Sequence, residues 1–310
     1  MRLSRTVLAA FFLLSGAVNG LWAQFATVTT LEGGAEYALP NSNELIPMQG
    51  NEKLPVGTTI CTYPDSSVIF KEAGGVMVRV GEDSELVIAE VSAENIQAAN
   101  TKTAFLPTNY VPPIHSKLDL YKGRVYYVFN AFPDDGKPKP NSYFRVECPQ
   151  GVAAARGGSG FIGADGSFGA TSGGLAVLSL NRQIFRAGAG EGIQGHDDGS
   201  FIHIGKATDL PSGASSIEFI LQLAGHGREL GVLKPGELDL LKDTARKLGF
   251  SDDRINQSLR RHFRLKVLGD KLLELRRLHR QEIIESLRRH RRHHHHHDPS
   301  EVEGPAHKVT

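Results

Sequence analysis

Short runs of alternating apolar and polar residues fill the chain up to about Lys206. The runs are rich in β-branched residues and are separated by Gly, Pro, Asn or Asp, which is typical of β-strands joined by turns. Six of them come first: Ala26 to Leu31, Ala35 to Leu39, Thr58 to Thr62, Ser67 to Lys71, Val76 to Val80 and Glu85 to Val91. This regular spacing predicts a mainly β fold, an antiparallel β-sandwich or a jelly-roll-like domain.

Two further signals organise this β region. The run from Gly123 to Phe129 is apolar on both faces, which predicts a central strand. Groups of turn residues predict hairpins between neighbouring runs. These groups are Glu72 to Gly75, Asp165-Gly166, Asn181-Arg182 and Asp198-Gly199.

The stretch from Phe144 to Phe161 predicts a corner in the sheet. Its first residues alternate as a strand does, and Pro149 then interrupts the ladder of hydrogen bonds. The side chains of Ala153 to Ala155 are too small to fill a core alone, so another surface must approach them closely. Gly157 and Gly158, directly after Arg156, allow positive φ or tight backbone contact.

The same stretch resembles the central motif of the FecR domain, in which a strand ending in Thr-Pro precedes a small-residue run, Arg-Gly-Thr, one residue and Phe. The matching positions here are Val146, Glu147, Cys148, Pro149, Gly151 to Ala155, Arg156, Gly157, Gly158 and Phe161. Leu54 to Phe70 and Leu118 to Val125 are similar to other markers of the family, in the same order. Cys148 and Gly158 depart from the pattern, since each replaces a threonine. The Gly158 replacement removes any contact that the threonine hydroxyl makes in the family.

The resemblance implies a non-enzymatic ligand-sensing or protein-binding role in signal transduction at the cell envelope. Iron-signalling members of the family join a cytoplasmic segment through a membrane helix to a periplasmic sensor. This sequence is expected to lack that cytoplasmic anti-sigma segment and helix. Arg156 has two interpretations: a structural arginine that bonds nearby carbonyls inside the corner, or a residue that contacts the ligand.

The first residues predict export. Arg2 and Arg5 precede an apolar stretch from Val7 to Val18, and Ala23 is a small residue suited to cleavage before Gln24. An uncleaved anchor is the alternative, but the apolar stretch is short for a membrane span. No later segment is apolar enough to span, so the mature protein should be periplasmic or extracellular, without an integral membrane segment.

After Asp209 the apolar pattern becomes helical. Ser215 to Leu223 predicts a short helix that ends at Gly225. A second helix, Glu237 to Leu248, has Gly249 as its C-terminal stop.

Ser251 should cap a much longer basic helix, with Asp252 and Asp253 complementing the dipole of its first turn. Between Arg254 and His297 there are 13 Lys and Arg against 4 Asp and Glu, out of 35 and 34 in the chain, so the remainder is acidic. The helix could pack on the β domain or on a second copy, or lie on an anionic surface. Nucleic acid is disfavoured as a partner because of export and because aromatics other than Phe263 are lacking.

The sequence contains two cysteines, Cys61 and Cys148. In an oxidising compartment such a pair permits one disulfide, and two separate buried thiols are the alternative. A catalytic thiol is disfavoured, since no local signature ties a histidine to either cysteine.

The most conspicuous metal candidate is the run His293, His294, His295, His296 and His297. Adjacent imidazoles on a flexible tail bind transition metals, but no carboxylate or cysteine is placed to complete a closed site. Adventitious binding by a low-complexity or tag-like tail is therefore favoured over a functional metal site.

Other candidate motifs have structural explanations. The last predicted hairpin contains His196, Asp197, Asp198 and His203. This composition favours a turn over a metal contact or an anion contact. Two G-x-G-x-x-G matches, Gly158 to Gly163 and Gly190 to Gly195, lack the strand and helix that a nucleotide site needs. Ser159 is not in a nucleophile elbow, and no motif points to a catalytic triad or a cofactor.

We therefore expect five segments: a signal peptide (1–23), a FecR-like β domain (24–208), a short-helix connector (209–250), a long basic helix ending in the His run (251–297) and a disordered tail (298–310). The predicted function is binding of an envelope protein or a ligand, without catalysis and without a cofactor. The alternatives are a surface scaffold or adhesin that acts through the basic helix, and metal binding by the His run.

Overall fold

A computed structural model describes residues 25–72, 74–93, 113–130, 141–196 and 198–261. The predicted signal peptide, most of the basic helix, the His run and the tail lie outside these residues. The described part is mainly β, as the sequence predicts, with helices at its C-terminal end.

The strands follow the predicted runs closely. They are β1 (Phe25–Glu32), β2 (Ala35–Ala38), β3 (Ile46–Pro47), β4 (Lys53–Pro55), β5 (Thr59–Thr62), β6 (Ser67–Glu72), β7 (Val76–Val80), β8 (Glu85–Ala93), β9 (Ile114–Lys122), β10 (Arg124–Phe129), β11 (Tyr143–Cys148), β12 (Gly151–Gly163), β13 (Ser167–Ser179), β14 (Ile184–Ala187), β15 (Gly192–Gly195) and β16 (Phe201–Ile204). All four predicted hairpins form: β6–β7, β12–β13, β13–β14 and β15–β16 pair antiparallel across the expected turns.

These strands form one mixed sheet that curls on itself. Its order is β3-β2-β5-β8-β9-β11-β12-β10-β7-β6-β1-β4, and β13 to β16 extend it from β12. We call the half from β2 to β11 the front layer and the half from β10 to β4 the back layer. Side chains of both halves meet in one core, where the rings of Tyr127 and Phe144 stack with centroids 4.7 Å apart.

The long strands β12 and β13 belong to both layers. The first part of β12 pairs with β11 and its last part with β10, so the strand passes from the front layer to the back. The second part of β13 and β14 extend the front layer, whereas the first part of β13 and β15 extend the back layer. The predicted central strand, β10, lies between β7 and β12.

The passage between the layers occurs at the predicted corner. The β12–β13 register shifts between Ala155 and Gly158, where Gly158 has φ +97° and Gly173, on the facing strand, has φ +71°. A Cβ on Gly158 would collide with the carbonyl oxygen of Ser172, so the two backbones touch here. The corner prediction is thus confirmed, and Ala153 and Ala155, just before the bend, are fully buried in the shared core.

One strand pair departs from the antiparallel expectation. β9 and β11 run parallel, with Lys117 opposite Arg145 and Asp119 opposite Glu147. The chain leaves the front layer after β9, forms β10 in the back layer and then returns, so β11 enters beside β9 in the same direction. Such a crossover gives parallel neighbours.

Three helices cover the outer face of the back layer: α1 (Gly213–Glu229), α2 (Pro235–Lys247) and α3 (Asp252–Arg260). Their apolar side chains form a second core with the outward-facing residues of the strands, including Met77, Val128 and Phe161. As predicted, Gly249 follows α2 with φ +94° and the Ser251 hydroxyl caps α3 by accepting from the Arg254 N–H. The prediction of one long basic helix from Ser251 onward is wrong at this point, because α3 ends at Arg260 and Arg261 has extended backbone (φ −68°, ψ 103°). Residues 262–297 lie outside the described residues.

The prediction that Gly225 ends the first helix is wrong. Helix α1 continues to Glu229, and Gly225 lies inside it, where a Cβ would collide with the carbonyl oxygen of Leu259 on α3. This glycine serves the close crossing of two helices rather than a helix stop.

Two arginines of the back layer bind helix α1. Arg79 donates to Gln222 Oε1 (3.0 Å) and Glu32 Oε2 (3.2 Å), and its guanidinium lies 4.1 Å from the centroid of the Phe219 ring. Arg124 donates to the hydroxyl groups of Ser216 (3.2 Å) and Ser167 (2.8 Å). Hydrogen bonds to charged donors are the stronger ones, so these pairs fix the helices on the sheet.

The close backbone contact at the corner can be tested by substitution of Gly158. Replacing Gly158 with Thr, the family residue, should destabilise the fold by about 3 kcal/mol or more, because the new side chain meets backbone at a strained φ. Thermal unfolding followed by circular dichroism measures the loss. Gly236→Ala is the matched control, since nothing lies within 4 Å of that Cβ, and it should change stability by no more than about 1 kcal/mol. Equal stability of the two variants would contradict this account of the corner.

Candidate functional site

The outer face of the front layer, which we call the front face, carries two rows of side chains across strands β9 to β14. The strand register places one row in the order Lys117, Arg145, Ala154, Ala176, Arg186 and the other in the order Asp119, Glu147, Val152, Leu178, Ile184. Because side chains of alternate residues share a face, Arg156 lies on this face as well, two residues after Ala154. The front face therefore joins residues from five strands.

Charged groups at the β9–β11 side of this face neutralise one another. Lys117 Nζ lies 3.1 Å from Glu147 Oε1 and 3.5 Å from Asp119 Oδ1, and Arg145 Nη2 donates to Glu147 Oε1 at 2.6 Å. The ring of Tyr143 stacks on His115 with centroids 4.5 Å apart, and its hydroxyl donates to Glu90 (2.9 Å). Burial and this carboxylate raise the pKa of Tyr143.

Charged groups at the β12–β14 side do not neutralise one another. Arg156 and Arg186 are exposed, and within the described ranges no hydrogen bond or ion pair involves either guanidinium. Between them the face is formed by the small side chains of Ala154 and Ala176. This side of the face is therefore lined by small side chains and is positively charged.

Exposed apolar side chains border these arginines. Leu178 and Ile184 are direct cross-strand neighbours, 39% and 63% exposed, and Leu180 in the following turn is 65% exposed. Exposed aliphatic groups next to unpaired cations are characteristic of a binding surface rather than of a solvated sheet face.

The opposite end of the same outer face is acidic and buried. Glu36, Cys61 and Glu85 are direct neighbours on β2, β5 and β8, and the Tyr63 hydroxyl donates to Glu36 Oε2 at 2.5 Å. Burial raises the pKa of the Cys61 thiol well above its usual value, and the carboxylates of Glu85 and Glu36 raise it further.

The two cysteines are free, so the disulfide alternative is not realised. Strands β5 and β11 are separated by β8 and β9 in the sheet, which puts Cys61 and Cys148 about 14 Å apart along it, beyond the reach of a disulfide. The Cys148 Sγ instead donates to the Gly151 carbonyl oxygen (3.4 Å) across the Pro149 turn. Burial raises the pKa of this thiol too.

The residues of the predicted motif are placed around the corner. Cys148 ends β11, Pro149 forms the turn into β12, Gly157 and Gly158 form the bend, and Phe161 is buried against the helices. Arg156 is exposed, and among the described residues it makes no bond to carbonyls inside the corner. The choice between its two interpretations stays a prediction.

The structure places the weaker candidate segments in turns and strands of the sheet. Asp198 accepts the Ser200 N–H at 2.8 Å and the Gly199 N–H binds the His196 carbonyl, so this segment is a turn; Asp197 lies outside the described residues. Both G-x-G-x-x-G segments lie in strands or turns of the sheet. Within the described ranges, no three His, Cys, Asp or Glu side chains are grouped to hold a metal. The His293 to His297 run lies outside them.

Sequence reasoning missed the buried acids Glu36, Glu72 and Glu85, and Glu72 is the one that faces the core. Glu72 ends β6 on the core side, where its carboxyl group is buried and the Ser116 side chain is its polar neighbour. Burial raises its pKa to about 8, and the neighbouring Ser116 offsets only part of that shift. The period-two alternation of Val68, Phe70 and Glu72 could have revealed it, since it gives all three the same face.

The front face was also missed as a surface. The alternation of Arg145 with Val146 and of Ala154 with Ala155 shows which residues point outward, but not that β11, β12, β13 and β14 are neighbours.

Among the described residues, no helix is both long enough and apolar enough to cross a membrane.

No family model matches the chain, and no curated protein matches it. Two solved structures of a protein provisionally described as an anti-sigma factor from Parabacteroides distasonis, at 2.50 and 1.65 Å resolution, are similar to it. They share 15% and 13% identity, with a TM-score of 0.33 each, over 48% of this chain. The match spans 59% of the length of those chains. A likeness at this level carries no argument about function, and the FecR resemblance stays a prediction.

The free cysteines make a direct prediction. Alkylation of the protein in denaturant without reductant should label both thiols, whereas in the folded state only Cys148 should react, slowly, because Cys61 is 1% exposed. Mass spectrometry counts the adducts, and Cys148→Ser should abolish labelling of the folded protein. Absence of labelling in denaturant would show that a disulfide is present.

Glu72 makes stability depend on pH. Its pKa is about 8 when folded and near 4.5 when unfolded, so between these values the folded state keeps a proton that the unfolded state loses. Stability should therefore fall as pH rises from about 5 to 8, by up to about 1.4 kcal/mol per pH unit. Urea unfolding at several pH values should show that Glu72→Gln removes most of this slope. Parallel pH profiles of variant and wild type would be inconsistent with a buried, neutral Glu72.

Proposed function

We propose that the protein is an exported, non-catalytic binding module of the cell envelope that uses its front face. The observation that supports this most is that helices cover the outer face of the back layer but not the front face. Helices α1 to α3 bury the apolar residues of the back layer. The front face instead presents Arg156, Arg186 and the exposed pair Leu178 and Ile184.

The chemistry of this face suits binding better than turnover. Its two unpaired guanidiniums supply hydrogen-bond donors for an anionic partner, and the aliphatic neighbours supply apolar contact area. The sheet fixes the backbone positions of these residues, so little backbone freedom is lost when a partner binds. Export places this surface where envelope proteins or ligands reach it, and the signal-peptide pattern from Arg2 to Ala23 supports that location.

The alternatives are a scaffold acting through the basic helix, 251–297, and metal binding by the His run. Deletion of residues 262–310 removes the His run and the basic helix beyond Arg261. Binding that survives this deletion does not depend on either of these segments.

Site-specific photo-crosslinking in cells tests the proposal. A photoreactive residue at Ile184 should form adducts in the envelope fraction, whereas the same residue at Leu240 on α2 should not. The two positions are matched in exposure, 63% and 62%. The same fractionation and sequencing of the N-terminus should show a mature chain that begins near Gln24. Adducts at Leu240 without adducts at Ile184, or an intact N-terminus in the cytosol, would refute the proposal.

A further inference from the structure

The partner of the front face can be specified by its chemistry. The β12–β14 side of the face holds Arg156 and Arg186 with no neutralising group among the described residues, and Arg182 is exposed in the adjoining turn. Arg145 on the neighbouring strand already binds Glu147. The local charge is thus positive, although the chain outside the basic helix is acidic overall.

The exposed apolar side chains of the front face lie directly beside the arginines. Leu178 stands between Val152 and Ile184 in one row, and the next row ends in Arg186. Side chains in adjacent rows of a strand face are about 7 Å apart, so a partner that contacts Ile184 also reaches Arg186. A small inorganic anion would use the arginines alone and leave the aliphatic groups exposed.

The edge of the sheet favours an extended partner. Gln183 pairs with Ser179 through a backbone hydrogen bond, so by antiparallel alternation Ile184 and Arg186 direct their main-chain groups away from β13. Their side chains lie on the front face. An extended segment placed along β14 would therefore meet the main-chain donors of Ile184 and Arg186 in the plane of the sheet. On the front face it would also meet one aliphatic side chain and one guanidinium, two residues apart.

We infer that the front face, at its β14 edge, binds an extended protein segment that carries an acidic and an apolar residue two positions apart, so that both side chains point to the same face. The carboxylate pairs with Arg186 and the apolar side chain covers Ile184 and Leu178, while Arg156, two strands further in, adds to the positive charge that attracts an acidic segment. This inference rests on the proposed function and adds the class of partner. Sheet edges recognise peptides in this way, with main-chain bonds giving affinity and alternate side chains giving specificity.

Selection from a random peptide library displayed on phage tests the inference with the mature full-length chain as bait. Enriched peptides should carry Asp or Glu two positions from an apolar residue. Their affinity should fall at least about tenfold for the double variant Arg156→Glu, Arg186→Glu and for Ile184→Ser. Arg228→Glu, an exposed reversal on helix α1, should leave affinity unchanged. Circular dichroism confirms that each variant is folded, as expected for exposed positions.

Several results would overturn the inference. They are enrichment of peptides without acidic residues, binding that the front-face variants do not weaken, and the absence of any enriched peptide. Sedimentation showing a dimer that Ile184→Ser dissociates would assign the face to a second copy, and arginine-dependent binding of phosphatidylglycerol vesicles would assign it to a membrane. Adducts at Ile184 in cells would still support the proposed function in each case, so the two failures are distinguishable.

Discussion

Backbone contact at the bend of β12 and β13 is the constraint on which the rest of the structure depends. At Gly158 and Ser172 the two strands approach so closely that no side chain fits between them. The strands can then turn from one layer into the other while keeping their hydrogen bonds on both sides of the bend. A curled sheet with one shared core follows from this turn.

The bend also determines which residues are functional candidates. The same strand presents Phe161 to the helices on the back layer and Ala154 and Arg156 to solvent on the front. One outer face is apolar and needs a cover, which helices α1 to α3 supply with the help of Arg79 and Arg124. The other is charged, holds its own ion pairs at one side and leaves Arg156 and Arg186 available at the other.

Burial has different consequences for the polar groups of this fold. Glu36 is buried on the outer face and accepts a hydrogen bond from Tyr63, whereas Glu72 is buried on the core side and burial raises its pKa. The pKa of Glu72 rises because desolvating a carboxylate costs free energy, which an apolar core does not offset. Cys61, between two carboxylates, is for the same reason an unreactive thiol.

The sequence by itself determined the local structure of this protein. Period-two alternation located the strands, turn residues located four hairpins, and small residues next to glycines located the corner, because these signals act between residues close in the chain. Only the tertiary structure decided what depends on distant residues. It made β9 and β11 parallel, placed Gly225 at a helix crossing instead of a helix end, kept Cys61 and Cys148 apart, and brought Arg156, Arg186 and Ile184 onto one face. Strand alternation tells which way a side chain points but not which strand lies beside it, since neighbours are chosen by the packing of the whole core.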